Sequence, residues 1–134
     1  MSDAEPVLFA NEAFYYAFAG GDAAAMDEVW ARDVPVACIH PGWNVLAGRD
    51  AVMESWRSIL GSDRRPAIRS QGASAFLHGD VAFVTCYENV GQGYLAATNV
   101  FVREGGAWKM VHHHAGPTAP PEAEESEDAP DRVH

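Results

Sequence analysis

The chain has 134 residues, of which 48% are hydrophobic and 21% charged, a composition typical of one globular domain with a single core. Its 19 acidic residues outnumber 9 Lys and Arg, and the net charge of −10 argues against a nucleic-acid partner because phosphates would be repelled. No apolar run approaches the roughly 20 residues of a membrane helix, and residues 1–6 lack the pattern of a signal peptide. We therefore expect a cytoplasmic protein without nucleic-acid or membrane partners.

Part of the negative charge is local. Residues 122–134 contain six acids and one arginine, and prolines flank and interrupt them. This composition favours a disordered, solvated tail. The sequence thus predicts one domain over residues 1–118, followed by an acidic tail over residues 119–134.

Three helices are predicted in the first half of the chain. Residues 7–19 repeat apolar side chains at helical spacing, with Asn11 on the same side. Asp22 is a suitable N-cap for a second helix over residues 23–32. The third helix follows Gly48 and runs through residue 60, again with apolar residues at helical spacing.

Strand-like segments surround and follow the third helix. Residues 34–39 include several β-branched side chains and are predicted to form a strand, and His40-Pro41 ends that strand because proline cannot continue the ladder. Four further strands, separated by glycine-containing turns, are predicted over residues 67–76, 81–90, 94–103 and 108–114. Helices followed by an antiparallel meander indicate an α+β fold, in which a curved, mostly antiparallel sheet wraps three helices and encloses a pocket.

Two cysteines, Cys38 and Cys86, lie inside these strand-like runs. Buried free thiols are expected in a cytoplasmic protein, and a disulfide is the alternative.

Several short motifs occur in a recognisable order. They are Gly21-Asp22, His40-Pro41-Gly42, Gly48-Arg49-Asp50 and the ending Trp108 to His114. With this order of elements, the chain resembles the nuclear transport factor 2-like superfamily, and within it the SnoaL-like proteins, over about residues 7–117. The resemblance implies a cone-shaped fold with a pocket. Because the superfamily includes isomerases, dehydratases, cyclases, hydrolases and non-catalytic binding or dimerisation modules, the fold does not settle the function.

The resemblance extends to ketosteroid isomerase, whose active-site pattern can be aligned with this chain. Its general-base aspartate falls on His40, and its oxyanion-binding aspartic acid falls on Asn99. Its oxyanion-binding tyrosine falls on Phe14, with Tyr15 one place along, and a supporting tyrosine falls on Trp56. The missing phenol argues against the same steroid reaction and leaves proton-transfer chemistry open.

Strand alternation predicts which side chains face the pocket. On the last strand, His112 and His114 are expected on the inner face with Trp108 and Met110. Glu88 is expected inside, where it would pair with His112 and raise the pKa of that histidine. The pair would act as a second acid–base group; the alternatives are a structural hydrogen bond or a Glu88 that reaches solvent.

His40 is the first candidate for a catalytic base, because imidazole titrates near neutral pH. Alternatively, its ring only fixes the turn before proline. Asn99 offers a donor to an oxyanion, and it could equally satisfy backbone groups. His112, His114 and His40 invite a metal-site interpretation. Since strand histidines usually line cavities, no metal or other cofactor is predicted.

A pocket wall completes the candidate site. Aromatic and imidazole side chains there suit a small, apolar organic ligand. The predicted ligand-binding residues are Phe14, Tyr15, Trp43, Trp56, Phe101 and His114.

Two functions compete. The first is a cofactor-independent isomerase-like or lyase-like enzyme, in which His40, Asn99, Glu88 and His112 move protons. The second is a non-catalytic, dimeric ligand-binding or association module. A pocket open at His40 would favour the enzyme, whereas a pocket plugged by a tryptophan would favour the module.

A homodimer is predicted through the outer face of the sheet, because a large exposed apolar patch usually marks an interface. The residues expected on this face are Val81, Phe83, Thr85, Tyr87, Val100, Val102, Val111 and His113.

Overall fold

A computed structural model describes residues 3–121 of the chain. Over this range three helices alternate with, and then give way to, six strands. The helices are α1 (Ala4–Gly20), α2 (Ala23–Val29) and α3 (Arg49–Leu60), and the strands are β1 (Ala37–Ile39), β2 (Leu46–Ala47), β3 (Arg69–His78), β4 (Val81–Asn89), β5 (Tyr94–Glu104) and β6 (Ala107–Thr118). The predicted acidic tail from residue 122 onward lies outside the described residues, so its predicted disorder stays a prediction.

The six strands form one sheet in the order β2-β1-β6-β5-β4-β3. All neighbouring strands are antiparallel except β1 and β6, which run parallel. The predicted meander is therefore confirmed as β3 to β6. Strand β2, which has only two residues, was not predicted because so short a segment has no detectable period. The prediction of an α+β fold is confirmed.

The core lies between the helices and one face of the sheet. Helix α1 packs against β3, β4, β6 and α2, and α3 packs against α2, β1 and β2. None of the helices in residues 3–121 is long and apolar enough to cross a membrane.

The turn between α1 and α2 forms as the sequence predicts. Gly21 has a φ of 64°, in the left-handed region, and its N–H donates to the carbonyl of Phe18 at 3.1 Å. The Asp22 carboxylate accepts from the N–H of Ala25 at 3.0 Å, which is the N-cap interaction. Helix α2 ends earlier than expected, at Val29, because Trp30 is extended and forms a bridge with Met110 of β6.

Arg49 explains one of the motifs found in the sequence. Its side chain is 20% exposed, and its guanidinium donates to the carbonyls of Trp30 and Ala31 at 2.9 Å and of Asp27 at 2.8 Å. It also pairs with the Asp27 carboxylate at 2.7 Å. Five N–H donors in a fixed plane suit this arrangement, which joins the start of α3 to the end of α2. The Gly48-Arg49 motif therefore has a structural role.

The pairing of β5 with β6 contains a β-bulge. Val100 pairs with His112 and Phe101 pairs with Met110, so Val111 is an additional residue on β6. A bulge reverses the alternation of side chains beyond it. The residues of β6 that face one side of the sheet are therefore even-numbered before Val111 and odd-numbered after it.

Candidate functional site

Polar side chains are buried on the inner, helix-facing side of the sheet. Glu88 of β4 and Asn99 of β5 are 1% and 0% exposed, as the alternation predicts for both. Phe101 is fully buried on the same side. The predicted inward orientation of these three residues is confirmed.

The predicted orientation of His112 and His114 is wrong. His113, which is 1% exposed, takes the inner position, while His112 is half-buried and His114 is exposed. The bulge at Val111 is the reason, because it shifts the inner position from even to odd residues. His113 therefore leaves the outer face to which its sequence position assigned it.

Asn99 is the centre of the buried network. Its Nδ2 donates to Oδ1 of Asn11 at 2.8 Å and to the hydroxyl of Tyr15 at 3.2 Å. Its Oδ1 accepts from Nδ1 of His113 at 2.6 Å. With this amide orientation Nδ1 of His113 carries the proton, and Nε2 is left as an acceptor. Nearly all of the hydrogen-bonding capacity of Asn99 is used inside the protein.

Tyr15 extends this network to Glu88. Its hydroxyl donates to Oε2 of Glu88 at 2.6 Å and lies 3.3 Å from Sγ of Cys86. The phenol missing at Phe14 is thus supplied by the next residue, because α1 directs Tyr15 toward β4. Phe14 packs edge-on against Tyr15 and Trp56, with ring centroids 4.7 and 5.4 Å away.

Oε2 of Glu88 and Nε2 of His113 are only 3.8 Å apart, but the pKa values of the two groups shift away from those of an ion pair. Burial raises the pKa of Glu88 to about 7. Burial, with further lowering from neighbouring histidines, brings the pKa of His113 down to about 3. The predicted pairing of Glu88 with His112 is therefore wrong in its histidine, because His113 is the residue beside Glu88.

His40 lies at the end of β1 and is 3% exposed. Its Nε2 lies 2.9 Å from the hydroxyl of Ser55 on α3, which in turn donates to the carbonyl of Val52 at 2.7 Å. Since the Ser55 proton is used in that second bond, Nε2 of His40 is the donor. Burial lowers the pKa of His40 to about 4, so the ring is neutral at physiological pH.

Trp56 fills the interior beside His40. It is 1% exposed, and its ring centroid lies 4.8 Å from that of His40 and 5.0 Å from that of Phe18. Trp43 covers the other side of His40 at 4.8 Å but is 45% exposed, so it lies at the surface rather than in an interior wall. The buried Nε1 of Trp56 has no hydrogen-bond partner among the described residues.

His112 and His114 lie together on the outer side of β6, with ring centroids 6.3 Å apart. Nδ1 of His112 lies 3.0 Å from the carbonyl of Ala37 and donates to it. His40 is on the inner side, so the three histidines do not converge. No group of three or more His, Cys, Asp and Glu side chains within residues 3–121 is arranged to hold a metal ion.

Both cysteines are free and buried, as predicted. Burial raises the pKa of the Cys38 thiol to about 12 and also raises the pKa of Cys86. A thiol with a raised pKa is a poor nucleophile.

Cavities of about 210 to 660 Å³ open on the described surface, and none of these has His40, Glu88, Asn99 or His113 in its lining. Two of them lie between α1 and the start of β3. One of about 430 Å³ includes Asn11, and one of about 260 Å³ includes Tyr15. Asn11 and Tyr15 are thus members of the network that line cavities at the surface.

Four hydrogen-bonding side chains of the interior were not predicted from the sequence: Asn11, Tyr15 as a donor, Ser55 and His113. For Asn11 a signal existed, because it lies on the apolar side of the first helix, where an amide needs a partner. For His113 the signal was hidden by the bulge.

Residues 7–120 match the SnoaL-like domain family, and the chain belongs to this family. A curated relative, the F-box protein SKIP8 of Arabidopsis thaliana, is 29% identical over 111 residues, which are 81% of this chain and 48% of that protein. The chain thus spans about half the length of this relative.

Solved structures share the fold. A protein of the NTF2-like family from Streptomyces avermitilis, provisionally assigned as a dehydratase, is 34% identical with a TM-score of 0.78, over 88% of this chain and 97% of that one. A protein from Thiobacillus denitrificans, provisionally assigned as a calcium/calmodulin-dependent protein kinase type II association domain, is 38% identical with a TM-score of 0.70, over 81% and 92%. An NTF2-like protein of unknown function from Pseudomonas putida is 20% identical with a TM-score of 0.73, over 94% and 93%. These neighbours confirm the predicted NTF2-like cone.

Proposed function

We propose that this chain is a non-catalytic association module, whose copies pack through the outer face of the sheet. The observation that carries the proposal is the filled interior: the polar groups that would bind a substrate bind one another. The outer face is defined here by Phe76, Val81, Phe83, Val100 and Val102.

The interior leaves little room for a substrate beside the first candidate base. Trp56 packs against His40, and the His40 ring is bonded to Ser55. Asn99, the candidate oxyanion donor, already donates to Asn11 and Tyr15. A substrate would have to displace bonds that are satisfied in the buried state, which costs free energy. A pocket plugged by a tryptophan is the arrangement that favours an association module over an enzyme.

The outer face is apolar and partly exposed. Phe76 and Val81 are 44% and 42% exposed. Phe76 stacks on Phe83 with ring centroids 4.8 Å apart, and Phe83 is paired with Val100 on the next strand. The outer side of the four long strands, β3 to β6, has an area on the order of 600 Å², because the strands lie about 4.8 Å apart and are about 30 Å long. This approaches the ~800 Å² per partner of a standard interface.

Two relatives agree with this function. The Thiobacillus denitrificans structure is assigned as an association domain. The F-box relative contains a similar region within a protein of about twice the matched length, as expected for a module joined to other domains. We therefore propose that the assembly contains at least a homodimer built on the outer face.

Phe83→Glu is expected to convert the dimer to a monomer, raising the dimer dissociation constant at least about tenfold, because symmetry places the two charges against apolar surface. Sedimentation velocity over a concentration series measures the change. Val45→Glu is the matched control, since Val45 is 61% exposed and lies outside the outer face. A wild-type protein that stays monomeric at high micromolar concentration contradicts the proposal.

A second candidate function is an acid–base enzyme acting on a small apolar organic molecule. The observation that favours it is Glu88, whose pKa of about 7 suits proton transfer at neutral pH. Tyr15 joins this carboxyl to the 260 Å³ cavity, whose lining also includes Ile68 and Tyr16. The Streptomyces avermitilis neighbour is assigned as a dehydratase. In this function Tyr15 and Glu88, rather than His40, would pass the proton.

The enzyme function predicts turnover in a screen of enolisable ketones, epoxides and β-hydroxy carbonyl compounds. Glu88→Gln is expected to lower kcat/KM about 100-fold, because the amide cannot exchange a proton. Glu12→Gln is the control, since Glu12 lines the same cavity but is exposed. Turnover that persists unchanged in Glu88→Gln excludes Glu88 as the acid–base group.

A further inference from the structure

A cleft of about 660 Å³ opens between α1, α2 and the turn that joins β5 to β6. We call it the α1–α2 cleft. It is separate from both the outer face of the sheet and the buried network, since no residue that defines either of them is in its lining. The lining residues used below are Phe9, Ala13, Ala25, Arg103, Trp108 and Lys109.

The floor of the cleft is apolar. Trp108 forms one wall, and Phe9 forms another although it is 74% exposed. Between them, Ala13 of α1 and Ala25 of α2 have side chains too short to fill the space between the helices. The volume lies within the range of about 300 to 1,000 Å³ that is typical of small-molecule sites.

Positively charged side chains lie at the rim of this apolar floor. The Arg103 guanidinium carbon lies over the Trp108 ring, 4.5 Å from its centroid, in a cation–π contact. Nε of Arg103 lies 3.4 Å from Oδ1 of Asp80, while its two Nη groups have no hydrogen-bond partner in the part of the chain that the structure describes. A guanidinium with unused N–H groups is suited to a carboxylate.

Lys109 adds a second positive charge at the rim. Its Nζ donates to the backbone carbonyl of Glu28 at 2.7 Å and retains two further N–H groups. The carboxylate of Glu28 also lines the cleft, but it lies 3.4 Å from Nη2 of Arg32, which offsets part of its charge. Two of the nine Lys and Arg residues of an acidic chain thus border one apolar cleft.

We propose that the α1–α2 cleft binds an apolar organic anion, with the hydrocarbon or aromatic body against Phe9 and Trp108 and the acidic group on Arg103 and Lys109. The charge of the rim, opposite in sign to that of the chain as a whole, selects an anion over a neutral molecule of the same shape. The alternative is that a second copy of the chain, or a helix of a partner protein, occupies this cleft.

Fluorescence titration of the full chain tests this site with two probes of similar shape. 8-Anilinonaphthalene-1-sulfonate carries an apolar body and one negative charge, and N-phenyl-1-naphthylamine is its neutral counterpart. In the double variant Arg103→Gln/Lys109→Gln, the dissociation constant of the anionic probe is expected to rise at least about tenfold, because charge-assisted hydrogen bonds are lost. That of the neutral probe should change less than about twofold. The matched control is Arg64→Gln/Arg69→Gln, which removes two exposed cations outside the cleft.

A second variant tests the cavity itself. Ala13→Phe places a ring in the cleft from an exposed helix position, so the fold is expected to tolerate it, and both probes should bind at least about tenfold more weakly. Anionic-probe binding that is unchanged in the charge variant, or binding of both probes that is unchanged in Ala13→Phe, overturns the proposal. A change in sedimentation mass in Ala13→Phe also overturns it, because the cleft is then an interface. If the double charge variant does not fold, each single substitution provides the same comparison.

Discussion

Replacing Asn99 with alanine is expected to lower the free energy of unfolding by about 4 kcal/mol, the largest effect predicted for this chain. The substitution removes the acceptor of His113 at 2.6 Å and the donor to Asn11 at 2.8 Å. Both partners are 1% exposed, so water cannot replace the lost bonds without opening the core. A buried group left unsatisfied costs about 1 to 3 kcal/mol, and two are left here.

Urea unfolding followed by tryptophan fluorescence measures this loss. The control is Asn89→Ala, because the Asn89 amide donates to Gln71 at 3.0 Å and to Tyr94 at 3.4 Å but is only partly buried. We expect the control to cost less than about 1 kcal/mol, since water can satisfy the released groups. Equal losses in the two variants would show that the buried network does not stabilise the fold.

Glu88 is expected to make the protein less stable as the pH rises. Its pKa is about 7 in the folded protein, against an ordinary value of 4.5, so the folded state holds the proton more tightly. This contribution to stability is fully present below pH 4.5 and is lost as the pH rises through 7. Between pH 5 and pH 8 the loss amounts to about 2 to 3 kcal/mol.

Two buried histidines act in the opposite direction. The folded pKa values of about 4 for His40 and about 3 for His113 lie below the ordinary value of 6.5. Their contributions are present above pH 6.5 and are lost as the pH falls toward 4 and 3, because the unfolded chain then binds protons that the core excludes. Because two histidine contributions oppose one carboxyl contribution, the wild-type protein should gain stability up to about pH 7 and change little above it.

Glu88→Gln separates these effects. The amide cannot ionise, so the loss that Glu88 causes between pH 4.5 and 7 should disappear, while the gain that the two histidines give as the pH rises to 6.5 should remain. Unfolding free energies of both proteins at pH 5, 6, 7 and 8 provide the comparison, and the difference between them should change by about 2 to 3 kcal/mol over this range. A difference that is independent of pH would mean that Glu88 titrates at its ordinary pKa.

The two results bear on the choice between the proposed functions. A carboxyl that is protonated near neutral pH and held by Tyr15 is a stable part of a packed interior, and it is also a group able to exchange protons. The stability measurements show what Glu88 does for the fold. The sedimentation and turnover experiments distinguish an association module from an enzyme.

The sequence by itself determined the helices, the meander and one face of the sheet. Apolar spacing located the three helices, Gly21 and Asp22 marked the turn between the first two, and strict alternation in β4 placed Glu88 inside. These features depend on local spacing and on backbone preferences, which can be read without knowledge of the partner strand. The motifs were sufficient for the family resemblance that the comparisons confirm.

Only the tertiary structure decided which histidine is buried and which groups meet. The bulge at Val111 arises from the pairing of β6 with β5, so the alternation that predicted His112 inside had no means of detecting it. Whether Tyr15 reaches Glu88, and whether Trp56 fills the space beside His40, depends on how α1 and α3 pack onto the sheet. Local spacing assigns a side chain to a face, but the distance to residues 70 or more positions away is set by packing, and here packing brings Tyr15 into contact with Cys86 and Glu88.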